Sequence, residues 1–184
     1  MLRTPRILRR FRSSTRGVAA IEFAAIMPVL AIIFLATFDG GRAIATYMKV
    51  RAATYALASI SNQYATIAST DMSSILGATS VIMAPYNTAT PSVTISQITI
   101  SNQGKATIEW SANQGGTART VTSSISPPSA MVVNSSYLIL AEVSNKFTPM
   151  FGFFGSGGIT FSDNLYVTPR SVSCIVYTPQ SSSC

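Results

Sequence analysis

The run from Val18 to Phe38 constrains this chain more than any other feature. Its 21 residues hold one charge, Glu22, and one helix breaker, Pro28; the rest are aliphatic, Phe, Ala, Thr or Met. As a helix rising 1.5 Å per residue, the run is about 31 Å long, close to the roughly 30 Å hydrocarbon layer of a bilayer. A membrane-spanning helix is therefore expected over residues 18–38. Pro28 removes one backbone hydrogen bond inside it, so a kink or local loosening is expected there. Ordinary tolerance of proline in membrane helices is the plainer alternative to a functional hinge.

The charge pattern gives the run a direction. Arg3, Arg6, Arg9, Arg10, Arg12 and Arg16 precede it, with no acid among them. Positive flanks stay on the cytoplasmic side, so the N-terminus is expected inside and everything beyond Phe38 exported. Six of the 13 Lys and Arg residues thus lie before Gly17, and the remainder of the chain is nearly neutral. The formal charge of +7 therefore describes a leader, not a basic face that would neutralise phosphates, and no nucleic-acid partner is expected.

A carboxylate inside an apolar segment needs a reason. Insertion scales assign about 2.5–3.5 kcal/mol to an acid at mid-helix and less near the interface, and such a residue is read as functional, with a partner. Glu22 is the fifth residue after Gly17. A cut after Gly17 would create an ammonium on Val18, about one helical turn from the carboxylate. Glu22 would then neutralise its own terminus or that of a neighbouring subunit.

The stretch RGVAAIEFAAIMP resembles the class III signal of type IV-like pilins: a basic leader ending in Gly, a Glu at the fifth position after it, an aromatic next, then an apolar helix. With Pro28 and Asp39-Gly40-Gly41-Arg42, it is most similar to the TadE-like family of minor pilins or pseudopilins, over roughly 16–51. The resemblance implies cleavage by a prepilin peptidase between Gly17 and Val18. It implies that Glu22 and Phe23 guide processing or assembly. It also implies an inner-membrane, single-pass protein whose C-terminal domain is periplasmic, acting with other pilin-like subunits and the assembly platform of a tight-adherence pilus, either within the fibre or at its base. The sequence from Tyr137 through Arg170 resembles the C-terminal hairpin of that family.

The expected fold class is α+β: a long N-terminal helix, membrane-spanning and then amphipathic, packed on a small, mostly antiparallel, pilin-like sheet. The expected organisation is a leader over 1–17, the span over 18–38, an exported helical region over 39–84 and a β-rich domain over 85–184. Asp39-Gly40-Gly41 marks the exit from lipid; each Gly weakens a helix by about 1 kcal/mol relative to Ala or allows close subunit packing. Beyond it, Ala53, Leu57, Ile60, Tyr64 and Ile67 recur on one helix face, which is expected to pack on the C-terminal domain. Thr70 or Asp71 is expected to cap a shorter helix from about Met72 to Met83.

From Ser92 the period becomes two. Val93 and Ile95 share one face and Ile98 and Ile100 the other, which predicts a bulge near Ser96-Gln97. Asn102-Gln103-Gly104 is a turn. Ala106, Ile108, Trp110 and Ala112 then alternate with polar residues as one half-buried face of a second strand. Arg119–Ile125 is a further strand candidate. Tyr137–Phe147 is apolar on both faces and so is expected at the sheet centre. Thr148–Gly155 carries Met150, Phe151, Phe153 and Phe154 between glycines; plugging the core is the first expectation, dipping into membrane or a partner groove the second. Ile159, Phe161, Leu165 and Val167 alternate, and Val172, Cys174 and Val176 would add an edge strand. Cys174 and Cys184 would close a small loop in an oxidising compartment, or else remain free thiols in a loose tail.

The ingredients of catalysis are thin. The chain has no His and only two Cys, which excludes a His-assisted nucleophile, a His-containing zinc site and a four-Cys metal site. Gly115-Gly116 and Gly155-Ser156-Gly157-Gly158 lack the Lys-Ser/Thr of a phosphate loop. No enzyme activity, cofactor, metal or small-molecule substrate is expected. Two other readings remain: an uncut single-pass protein with a periplasmic binding or adhesion domain, and a secreted protein with an ordinary signal peptide. The second fits less well, because ordinary signal peptides have apolar regions of about 7–15 residues.

Overall fold

The computed structural model describes residues 17–86, 90–152 and 157–180. One helix, α1, runs unbroken from Val18 to Ser61, through Pro28 and through Gly40-Gly41. Its first buried residue is Asp39; side chains before it touch little of the rest of the chain. Beyond Asp39 the helix becomes one wall of the domain, burying Val50, Ala53, Leu57 and Ala58. Thr46 and Thr54 are buried on the same wall because their hydroxyls donate back to the carbonyls of Arg42 and Val50, at 2.8 and 3.0 Å.

After α1 come a two-residue strand β1 (Thr66–Ile67) and helix α2 (Ser69–Met83). The helix begins earlier than the sequence suggests. Its N-cap is Ala68, whose backbone N–H donates to the Asp71 carboxylate at 3.3 Å. Asp71 thus acts from the third helical position, the reaching-back half of a capping box, not as the cap itself. The helix stops at Met83, ahead of Pro85.

Strands β2 (Ser92–Ile100), β3 (Ala106–Gln114), β4 (Ser136–Phe147) and β5 (Ile159–Val167) form an antiparallel sheet in the order β3-β2-β4-β5. The hairpin turn after β2 uses Gly104 at φ 78°, a conformation that costs glycine little. Both α1 and α2 cover one face, α1 over β4 and β5, α2 over β2 and β3. The fold is the expected α+β arrangement of a long helix against a small antiparallel sheet.

Two apolar clusters result. The larger joins α1, α2, Val93 and Ile95 of β2, Trp110 and Ala112 of β3, Ile139, Ala141 and Val143 of β4, and Ile175 and Tyr177. The smaller lies on the other face, where Ile98, Ile100, Ala106, Ile108, Leu138 and Leu140 are covered by Ile125, Met131, Val132 and Tyr166. Strand β4 feeds both clusters in strict alternation, as its two apolar faces require.

The irregularity expected near Ser96-Gln97 falls at Gln97/Ile98, but in the pairing with β3 and with its extra residue on β3. β2 pairs with β4 without a break, and it buries Val93-Ile95 and Ile98-Ile100 on opposite faces because each face is covered at a different end. The register shift is in the β2–β3 pair: Gln97 faces Trp110 and Ile98 faces Ile108, leaving Glu109 as the extra residue of β3. That insertion turns Ala106 and Ile108 to one face and Trp110 and Ala112 to the other, so the four do not form the single face that their spacing suggests. Thr99 donates to the displaced Glu109 carboxylate at 2.6 Å.

Residues 119–125 form an isolated bridge, Thr107 to Ser124, in place of the expected strand. The segment still guards the outer edge of β3: Ile108 N–H donates to Ser123 O at 3.0 Å and Ile125 N–H to Ala106 O at 3.1 Å. Further along, the Gln180 side chain exchanges two hydrogen bonds with the Ser111 backbone, at 3.2 and 3.0 Å, standing in for a neighbouring strand. Arg119 holds the covering segment through a bidentate pair with Glu142, at 2.7 and 2.6 Å. The Glu142 hydrogen bond pushes the Arg119 pKa up, and burial pushes the neighbouring Tyr166 phenol up, with Glu142 adding and Arg119 opposing.

The C-terminal stretch also departs from expectation. Only Val176–Tyr177 is strand (β6), and it pairs in parallel with β1, not with the main sheet. Val172 and Cys174 lie outside any strand. The chain here is pinned by side chains instead. Buried Gln97 accepts from Ile175 N–H at 2.8 Å and donates to Cys174 Sγ at 3.1 Å, while Trp110 Nε1 donates to Ile175 O at 2.9 Å. A short polar-anchored crossing satisfies the backbone where no strand partner is available.

Candidate functional site

The expected processing residues sit together on the free end of α1. Gly17 is the N-cap, at φ −87° and ψ −13°, and makes no side-chain cap. Val18 opens the helix, and Glu22 follows on the same side one turn later. Val18, Glu22 and Phe23 are all exposed. Pro28 lies within the same free segment. The arginine-rich leader before Gly17 lies outside the described residues.

Among the described residues nothing requires glycine at position 17. Its φ is negative, and a Cβ there would meet nothing within 4 Å. Gly115 shows the contrast: at φ 77° its Cβ would stand 2.3 Å from Pro91 O. Glycine at 115 serves the fold, whereas glycine at 17 leaves an unobstructed backbone at an exposed helix start.

Among the described residues α1 is the one helix long and apolar enough to cross a membrane, and its most apolar window contains no buried residue. Where that stretch ends, the structure brings in a distant loop. Asp39 is 0% exposed, and its carboxylate accepts the backbone N–H groups of Met150 and Phe151 at 3.1 and 3.0 Å. Phe38 meets Phe151 edge to face, ring centroids 6.0 Å apart. Arg42 stands over the Phe38 and Phe147 rings at 5.9 and 5.8 Å. Met150 and Phe151 do not plug the core: they are 64% and 42% exposed. Phe153, Phe154 and Gly155, the rest of that expectation, lie outside the described residues.

Asp39 is the residue that sequence reasoning undervalued. It read as a polar marker of the exit from lipid. Its signal was available in part, since an acid beside two helical glycines is a poor choice for propensity alone. Its partners, more than a hundred residues away, were not.

Cys174 is disulfide-bonded. Its expected partner, Cys184, lies outside the described residues. No group of three or more metal-ligating side chains comes together among the described residues.

Comparison with known families gives one match: the model described as TadE-like protein, over residues 17–59. The resemblance read from the sequence is thereby shown for α1, which is less than half of the 184-residue chain. No curated protein and no solved structure matches the chain.

Proposed function

We propose, from a TadE-like segment that covers all but the last two residues of α1, that this protein is a minor pilin or pseudopilin of a tight-adherence pilus system. A prepilin peptidase cuts between Gly17 and Val18. The mature chain is held in the inner membrane by residues 18–38, with residues 39–184 in the periplasm. The protein acts in pilus assembly as a structural subunit, not as an enzyme.

The observation that carries this reading is the isolation of residues 17–38. They match the family, none of them is buried, and they begin at a glycine that the described residues do not require. A free apolar helix fits a bilayer or the helix layer of a fibre equally well. A second feature agrees. Beyond the span, Ile44, Met48 and Tyr55 remain exposed at helical spacing, with Arg51 between them. That stripe continues the lipid-facing surface into the periplasm and suits packing against another pilin-like subunit.

Intact mass and N-terminal sequencing of the membrane-extracted protein test the proposal. A mature chain beginning at Val18 is expected, and Gly17→Arg is expected to leave it uncut at unchanged fold stability. Retention of Met1 in cells with a working prepilin peptidase would favour an uncut single-pass protein with a periplasmic binding or adhesion domain. Glu22→Ala is expected to reduce piliation severely while protein level stays unchanged; normal piliation would remove Glu22 from assembly.

A further inference from the structure

Two exposed apolar side chains sit at the point where the apolar helix ends. The loop after β4 carries Met150 and Phe151, both solvent-facing, and its backbone is tied to Asp39 through two hydrogen bonds. Asp39 directly follows the 21-residue apolar run that begins at Val18. Taking that run as the span, Phe38 lies at the boundary between acyl chains and headgroups, at a depth set by about 1.5 Å per residue. Phe151 packs on Phe38 and therefore lies at the same depth.

A buried carboxylate is an expensive way to hold a loop in place. Here it has two effects. It satisfies two backbone N–H groups that an apolar surrounding would otherwise leave unpaired. It also fixes the direction of the loop, so that Met150 and Phe151 project beside the helix where it leaves lipid. The guanidinium of Arg42 lies one turn further on, over the rings of Phe38 and Phe147, where a cation can reach headgroup phosphates. Aromatic side chains with a cation just outside them are the composition of a membrane interface.

We propose that the loop at residues 149–152 is a second membrane contact: Met150 and Phe151 enter the interfacial layer of the bilayer beside the exit of α1, with Asp39 as the clamp. The occupant of this apolar patch is lipid, because the patch is continuous with the lipid-facing surface of residues 18–38. The contact would add to the span by fixing the tilt and rotation of the periplasmic domain above the membrane. It rests on residues 18–38 spanning the bilayer, which the experiment tests separately.

Trp110 is the chain's one tryptophan and is 0% exposed, so a new tryptophan reports its own surroundings. Full-length Phe151→Trp, Phe34→Trp and the parent protein would each be reconstituted in phosphatidylcholine–phosphatidylglycerol vesicles. The lipids would be brominated either near the glycerol or near the chain ends. Phe151→Trp should show blue-shifted emission and extra quenching by the shallow bromines, while the parent changes little. Phe34→Trp should be quenched more by the deep bromines. If Phe34→Trp is quenched and Phe151→Trp behaves like the parent, the loop is in water and the proposal fails while the span stands. If neither is quenched, the span reading fails and takes the proposal with it. Blue-shifted Phe151→Trp emission that ignores bromine but rises with protein density would put a second copy on the patch, and overturns the lipid assignment.

Discussion

Asp39 shows how much one side chain contributes when it answers to backbone donors. A carboxylate accepts both the Met150 and Phe151 N–H groups. An amide of the same shape can accept only through its oxygen and turns an N–H toward one of the donors. Asp39→Asn is therefore expected to cost about 1–3 kcal/mol. Its specific sign is faster hydrogen exchange at the Met150 and Phe151 amides, with exchange in β2 and β4 nearly unchanged. Protection equal to the parent at those two amides would show that the carboxylate does not hold the loop. Gln97 works in the same manner deep inside: it occupies both Ile175 N–H and Cys174 Sγ, where an aliphatic residue would leave the Ile175 N–H buried and unpaired.

At the scale of elements, β3 is the instructive case. Glu109 is the extra residue of its pairing with β2. Removing it leaves Ile108 and Trp110 adjacent, with the regular alternation that places each on its present face. Deleting Glu109 is expected to give a folded protein within about 1–2 kcal/mol of the parent, its hydrogen bond with Thr99 being part of the loss. Deleting Ser111 shortens the strand equally but forces either Trp110 or Ala112 to the wrong face; a misplaced Trp110 would cost roughly 3–5 kcal/mol. Thermal unfolding followed at the Trp110 near-ultraviolet signal distinguishes the two deletions. Equal stability of both would show that the bulge does not set the faces. The even spacing of Ala106, Ile108, Trp110 and Ala112 hid this, because an inserted residue changes the face without changing the apolar pattern. Strand β4, with no insertion, was legible in full.

For the whole molecule, the division between free helix and packed domain falls at Asp39. Every residue of both apolar clusters lies beyond it. A chain starting at Leu35 keeps the clamp and the complete core, so it is expected to be soluble and to unfold cooperatively at a temperature within a few degrees of the full-length protein. Circular dichroism and the near-ultraviolet signal of Trp110 check this. Loss of that signal would mean that the apolar helix contributes to the core after all. The helical region after Asp39 and the β-rich region share one cluster, from Val50 and Met72 to Val143 and Tyr177. They therefore move as a unit.

The sequence by itself determined the features that depend on local composition. A run of apolar residues is helical and lipid-compatible wherever it lies, arginines before it bias its direction, and strict alternation makes a strand. These are properties of neighbouring residues, and the free helix, the central strand β4 and the hairpin turn at Gly104 follow from them. Only the tertiary structure decided where Asp39 spends its carboxylate, which face β3 presents after Glu109, and how the C-terminal stretch is held by Gln97 and Trp110. Each of these is a pairing between residues far apart in the chain. Such pairings are stable only once the sheet and helices have fixed the distance, and no periodicity in the sequence records them.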